Sequence, residues 1–388
     1  MEAGAKMRWR LSKLVASGLA CLGLLGACAG CTSAAAAGDS RSAQAAARWQ
    51  LVKLPRSIAR TWLLNSVTCP AARFCMVVGR DRAGAAAATL TGSTWHVLRP
   101  VQRKRLGVPS EFMSVSCPST TDCTAVGLTP PRSINEELRP LAERWNGTRW
   151  SLQATAPLRP VGWSQSLPAV SCPSASTCMA AAKIGSGAAG TGADGAAEIW
   201  HLGEPRWRNA DLRGANWLLG VSCVSDVRCA AISSDAIYIW NDGRWTRQHV
   251  RGLLAAAPSA ISCASLTSCV VIAGSRPATS FVLRGRTWTR HKMPGFRGND
   301  WTSFGGLSCP VSDSCTAVGS VSAHNENETP TVLAEHWNGT TWRVERIEPA
   351  PSGGSTSLSA VSCPTPATCL TVGRQGSEGL TPLVERSS

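Results

Sequence analysis

Two cysteines six positions apart recur seven times along this chain, and no other feature restricts its fold as much. The copies are VTCPAARFCMVVG from Val67, VSCPSTTDCTAVG from Val115, VSCPSASTCMAAA from Val170, VSCVSDVRCAAIS from Val221, ISCASLTSCVVIA from Ile261, LSCPVSDSCTAVG from Leu307 and VSCPTPATCLTVG from Val361. The period runs from 40 to 55 residues, the range of a four-stranded propeller blade. Zinc ligands come in closer pairs with a partner pair elsewhere, and redox dithiols as C-x-x-C, so the spacing argues against both. Facing each other across a hairpin, the cysteines of one copy fall within disulfide range. Seven local staples are expected: Cys69–Cys75, Cys117–Cys123, Cys172–Cys178, Cys223–Cys229, Cys263–Cys269, Cys309–Cys315 and Cys363–Cys369. No metal and no cofactor is called for.

Each unit has a second half, clearest in LAERWNGTRWSLQ from Leu141 and LAEHWNGTTWRVE from Leu333. Apolar and polar residues alternate on both sides of Asn-Gly, the pattern of a hairpin closed by a two-residue type I′ turn. Two hairpins make four antiparallel strands per unit. A tryptophan marks the fourth strand of six units, at Trp95, Trp150, Trp207, Trp245, Trp288 and Trp342. The seventh unit stops after its third strand, in LVERSS, while RWQLVKLP from Arg48 reads as an orphan fourth strand with Trp49 in the marker position. Ring-shaped propellers close through a split unit of this kind, which leaves no terminal edge unpaired. The expected fold is all-β: a seven-bladed β-propeller of four-stranded antiparallel blades over residues 48–388, with the N-terminal strand completing the last blade and one hairpin disulfide per blade.

Ahead of that region, Lys6, Arg8, Arg10 and Lys13 precede the apolar run Leu14 to Ala27, which is too short to span a bilayer and reads as an export signal over residues 1–27. Its end, Leu25-Gly26-Ala27-Cys28, resembles the lipobox of bacterial lipoproteins. That resemblance implies acylation of Cys28 and a membrane-anchored, extracytoplasmic protein; without acylation the chain is secreted. Residues 28–47, rich in Ala and Ser, form a tether. Seventeen cysteines fit an oxidising compartment.

A catalytic constellation does not emerge. The six histidines make no HExxH motif and pair with no G-x-S-x-G serine. His336 stands in AEHWNG where Arg144 stands in AERWNG, which marks an exposed strand position, and Glu143 and Glu335 are equivalents of one another in different units. The serine before the first cysteine of most copies has no accompanying histidine and suits a crowded strand between units. Sialidase propellers share only a faint Gly-Thr-x-Trp turn, since their chemistry needs a tyrosine nucleophile and Tyr238, the sole tyrosine, sits mid-strand.

On a propeller the loops between strands two and three, and those leading to the next unit, emerge on one face, opposite the cysteine and Asn-Gly turns. Here those loops vary most: 128–140, 183–195 and 320–330 are long, and variable loops on a rigid scaffold are the usual seat of recognition. Four tryptophans outside the strand pattern, Trp62, Trp163, Trp217 and Trp301, precede first cysteines. With Arg60, Arg159, Arg213, Arg297 and the cluster Arg103-Lys104-Arg105 they could line a basic, aromatic channel mouth or else only pack between blades. The net charge is +15, falling to about +12 once the leader is removed. That balance favours anionic envelope polymers or an exported protein as partner; no helix or RNA-binding motif suggests nucleic acid.

The repeat, with its SCP, C-x-A-V-G and E-x-W-N-G-T-x-W elements, resembles exported, often lipoprotein-type repeat proteins of high-GC Gram-positive bacteria. That resemblance brings no catalytic residues with it. The expectation is a non-enzymatic propeller that binds an envelope glycan or protein through its loop face. The alternatives are an exported carbohydrate-active hydrolase using loop-face acids such as Glu136, Glu137, Asp194, Asp300 and Glu378, and a structural assembly protein.

Overall fold

The chain is described by a computed structural model covering residues 48–101, 104–105, 108–130, 137–158, 164–185, 193–212, 214–274, 276–295, 301–322, 329–347, 354–376 and 381–387. All belong to one compact unit, Ala46–Ser388. Apart from two one-turn helices, Arg56–Ala59 and Leu253–Ala256, the regular structure is β.

The first repeat unit shows why the sequence folds as it does. Its strands Leu63–Ala71, Phe74–Asp81, Gly84–Thr91 and Thr94–Leu98 pair antiparallel in chain order. The second and third are built from small and β-branched residues buried on both faces, because another sheet lies on each side. The glycine of C-x-A-V-G has a separate cause: a Cβ at Gly79 would come within 1.9 Å of the Leu63 carbonyl oxygen, and one at Gly127 within 2.0 Å of that of Glu111. Gly319 and Gly373 stand in the same relation to Ser303 and Ser357.

Five such four-stranded sheets follow one another within residues 63–98, 111–153, 164–209, 218–248 and 258–292. Apart from a two-stranded pair, Lys104–Arg105 with Val108–Pro109, the remaining strands form one eight-stranded sheet in which Arg48–Leu51 lies between Trp342–Ile347 and Thr381–Ser387. It runs parallel to the former, with Trp49 opposite Ile347, and antiparallel to the latter, with Trp49 opposite Ser387 and Gln50 opposite Arg386. Trp49 is 1% exposed and its indole N–H donates to Glu345 Oε2 at 2.7 Å.

All seven cysteine pairs are disulfides, with Cα–Cα separations of 3.9–4.1 Å. Cys223 and Cys229, like Cys263 and Cys269, stand directly opposite each other in the ladder between the unit's first two strands. The tryptophans flanking the second hairpin also pair across it: Trp145 with Trp150, Trp240 with Trp245 and Trp337 with Trp342, at ring separations of 5.2–5.8 Å.

The Asn-Gly turns differ from the two-residue form expected. Trp145 pairs with Trp150, so four residues make the turn, and Asn146 Oδ1 accepts from the Thr148 and Arg149 N–H groups and the Thr148 hydroxyl. Only Gly147 takes a positive φ, +91°. Asn338 does the same for Thr340 and Thr341. The asparagine serves as a side-chain acceptor and not as a left-handed residue. The type I′ geometry occurs instead at Asp242 and Gly243, φ +43° and +91°, between Asn241 and Arg244.

The core is divided among the spaces between successive units. Val77, Ala88 and Leu90 of the first unit share a buried cluster with Leu370, Val372 and Val384 of the last. Phe112 and Leu141 join Met76 and Ala87, and corresponding clusters fill the other gaps. Each unit's first strand packs beside that of the next, and Thr356–Thr365 packs beside Leu63–Ala71.

Candidate functional site

Second strands end, and the segments entering first strands begin, on the face that carries the long loops. There the strand Thr177–Gly185, apolar along most of its length, finishes in Lys183-Ile184-Gly185. The segment entering the next unit lays Trp217 across it. The indole N–H of Trp217 donates to the Ile184 carbonyl at 2.9 Å, and a Cβ on Gly185 would lie 3.2 Å from the Trp217 ring, so glycine leaves the ring its seat. The residue remains 42% exposed. Lys183 Nζ lies 5.7 Å from the ring centroid, a cation–π contact. Among the described residues the ammonium has no ion pair, and burial pulls its pKa below the usual lysine value.

Trp217, Lys183 and Gly185 form one wall of a groove of about 240 Å³ completed by Leu128, Leu138, Ser164, Gln165 and Ser166. Three units contribute. The Gln165 N–H donates to the Leu138 carbonyl, and the Ser164 hydroxyl to Glu137 Oε2 at 2.6 Å, so the loop after Asp122–Thr129 is pinned to the strand Ser164–Ser174.

The tryptophans singled out in the sequence fare differently. Trp62 is corrected to a core residue: at 4% exposure it packs with Ile58, Leu64 and Val67 beneath the short helix and is closed to a ligand. Trp301 is 38% exposed at the start of its strand, opposite Ser322. Trp163 and Arg103 lie outside the described residues, as does Cys28. Lys104 and Arg105 form a two-residue strand paired with Val108–Pro109. Of the described members of the set, Trp217 lines the groove above, and its partner Lys183 was not singled out. The signal for it was a lysine closing an otherwise apolar strand.

The inner strands of all seven units surround a cavity of about 180 Å³ lined by Ser66, Met113, Ala169, Gly220, Ser259, Gly305 and Ala360 among others, with no charged side chain among the described residues of its wall.

The carboxylates of the E-x-W motif are structural. Glu143, Glu198 and Glu335, and Glu385 at the same strand position in Glu385-Arg386-Ser387, are fully buried in third strands. Three of them accept a backbone N–H from the segment leading into their own unit: Glu143 from Val101 at 2.8 Å, Glu198 from Ala156 at 3.1 Å, Glu335 from Gly295 at 2.9 Å. Burial raises Glu198 to about 8 and Glu335 to about 7, against the lowering effect of those N–H groups. The neighbouring position is not the exposed site expected. Arg144 is largely covered, pairs with Asp122, donates to the Ala175 carbonyl and lies 4.3 Å from the Trp200 ring centroid, and His336 is half-buried.

No family model and no curated protein matches the chain. Solved structures do. YCF48 from Cyanidioschyzon merolae covers 87% of this chain with 98% of its own at a TM-score of 0.55 and 16% identity, and a YCF48 solved with a D1 peptide bound covers 87% with 96% of its own at 0.54 and 14%. Virginiamycin B lyase from Staphylococcus aureus covers 88% with 99% of its own at 0.55 and 8% identity. The chain folds as a β-propeller. At such identities the likeness extends to the fold alone.

Proposed function

We propose that this chain is a non-enzymatic, seven-bladed β-propeller, exported and held at the membrane by an acylated Cys28, that binds a protein partner through its loop face. Residues 28–47 serve as tether and 48–388 as the propeller, with Arg48–Leu51 as the outer strand of the seventh blade. The cyclic order of the clusters between units supports the blade count. The observation that carries the binding reading is the groove at Trp217: a large exposed aromatic residue and a half-buried ammonium that has no ion pair among the described residues, in a concave surface built by three units. The opposite face, by contrast, presents turns in which the Asn146 and Asn338 side-chain oxygens accept from their own backbones. A propeller of the same fold, YCF48, has been solved holding a peptide.

Photo-crosslinking residues at Leu138, beside the groove, and at Thr148, on the opposite turn, test the reading in cells producing the full chain. Crosslinks to a discrete protein from Leu138 and none from Thr148 are expected; equal labelling from both positions, or turnover of a cell-wall glycan by the purified chain, overturns it. Cys28→Ala should move the protein from the detergent phase to the aqueous phase in a phase-separation assay.

A further inference from the structure

We propose that the groove beside Trp217 seats the C-terminal residue of a partner polypeptide, its apolar side chain against Leu128, Leu138 and the indole and its free carboxylate against the Lys183 ammonium. This rests on the protein-binding reading above and names the chemistry of its ligand.

The composition of the groove selects that occupant. Most of its wall is apolar, supplied by Leu128, Leu138, Trp217 and the bare backbone of Gly185, and an apolar wall rewards an apolar side chain. Its one cation, Lys183, is half-buried, held over an aromatic ring and without an anionic partner among the described residues. A charge already stripped of part of its water is the one that gains most from an incoming counter-ion, because little further desolvation opposes the attraction. An internal aspartate or glutamate brings a carboxylate but no apolar group, and an internal leucine or phenylalanine the reverse. Only a chain terminus carries both on one residue. The Ser166 hydroxyl adds a polar atom at the same wall. Trp217 is fixed by its hydrogen bond to the Ile184 carbonyl, so the ring is in place before a ligand arrives and no ordering cost is incurred there.

Fluorescein-labelled octapeptides ending in Leu, Phe or Val, randomised elsewhere and prepared both as free acids and as C-terminal amides, are titrated onto the full-length chain by anisotropy. The free acids should bind about tenfold or more tightly than the amides, the difference a charge-assisted contact makes. Lys183→Met should erase that difference while the melting temperature stays put, and Lys183→Arg should retain most of it. Trp217→Ala should weaken acid and amide alike; if that variant fails to fold, Gly185→Ala, which crowds the ring, reads the same contact. Equal binding of acid and amide, or an acid preference that survives Lys183→Met, overturns the assignment. So does binding of an acidic oligosaccharide that depends on Lys183 and Trp217 when no peptide binds. If the Leu138 crosslink persists in Lys183→Met while acid and amide bind equally, the C-terminal assignment fails and the protein-binding reading stands; loss of crosslinks from the wild-type loop face removes both.

Discussion

The backbone N–H of Cys69 donates to the Oγ of Ser362 at 2.9 Å, across 293 positions of sequence, tying the first repeat unit to the last. The same bond joins Cys172 to Ser116, Cys223 to Ser171, Cys263 to Ser222, Cys309 to Ser262 and Cys363 to Ser308, all at 2.9–3.0 Å. The serine that precedes the first cysteine is thus an acceptor for the neighbouring unit, placed where two inner strands meet side by side and cannot satisfy each other through a ladder. The contact between ends is reinforced on the turn side, where the Arg386 guanidinium donates to the Gly92 carbonyl.

Replacing that serine tests closure. Ser362→Ala leaves a partly buried N–H without its partner, a loss of about 1–2 kcal/mol. Ser171→Ala does the same between interior neighbours. If the last unit packs on the first as tightly as the interior units pack on one another, chemical denaturation will show equal losses for both variants. A markedly smaller loss for Ser362→Ala would mean an open arrangement in solution.

Trp49 is the second test of the same joint. Its ring is buried and its N–H satisfies a carboxyl, that of Glu345, which burial raises and this hydrogen bond lowers. Trp49→Ala should cost about 3–5 kcal/mol, the range for emptying a buried aromatic site. Removing residues 48–52 should do something different in kind. It bares the edges of Trp342–Ile347 and Thr381–Ser387, and exposed sheet edges pair with other chains. Light scattering after size exclusion should show association of the truncated chain and a monodisperse Trp49→Ala variant.

How far the sequence disclosed this arrangement follows from what kind of force set each feature. Cysteine spacing, alternation and tryptophan position report local strand geometry, and they located the units, the disulfides and the strand at Arg48. The Asn146 turn was misjudged because a side chain outcompeted the backbone conformation that Asn-Gly usually favours. Trp62 and Trp217 look alike in sequence, each ahead of a first cysteine. A short helix, Arg56–Ala59, covers one, and among the described residues nothing comparable covers the other. That difference is tertiary, as is the meeting of Lys183 with an indole 34 residues further on.

The disulfides permit a comparison between units. Each closes a loop of the same length, so the chain-entropy model assigns each about 2 kcal/mol. Replacing Cys223 and Cys229 together by Ala should therefore cost about as much as replacing Cys117 and Cys123, although one hairpin carries proline after its first cysteine and the other valine. Denaturation midpoints of the two double variants check it; a large inequality would show that the turn residues, not the covalent bond, dominate.

The buried glutamates make stability depend on pH in an unusual direction. A carboxyl whose pKa is higher in the folded than in the unfolded chain holds its proton more tightly when folded, so its contribution is fully present below the unfolded value and is lost as pH rises through the folded one. For Glu198 that window runs from 4.5 to about 8, and for Glu335 from 4.5 to about 7. Within it each group can lower stability by up to about 1.4 kcal/mol per pH unit. Glutamine keeps the acceptor for the Ala156 and Gly295 N–H groups and cannot ionise, so Glu198→Gln and Glu335→Gln should remove this dependence. Thermal melts at pH 5 and pH 8 should show the wild type losing more stability than the double variant over that interval, with the curves nearest each other at pH 5, where both carboxyls of the wild type are protonated. Parallel curves across the interval would mean that water reaches these carboxylates and that the strands around Ala156 and Gly295 open more readily than their burial implies.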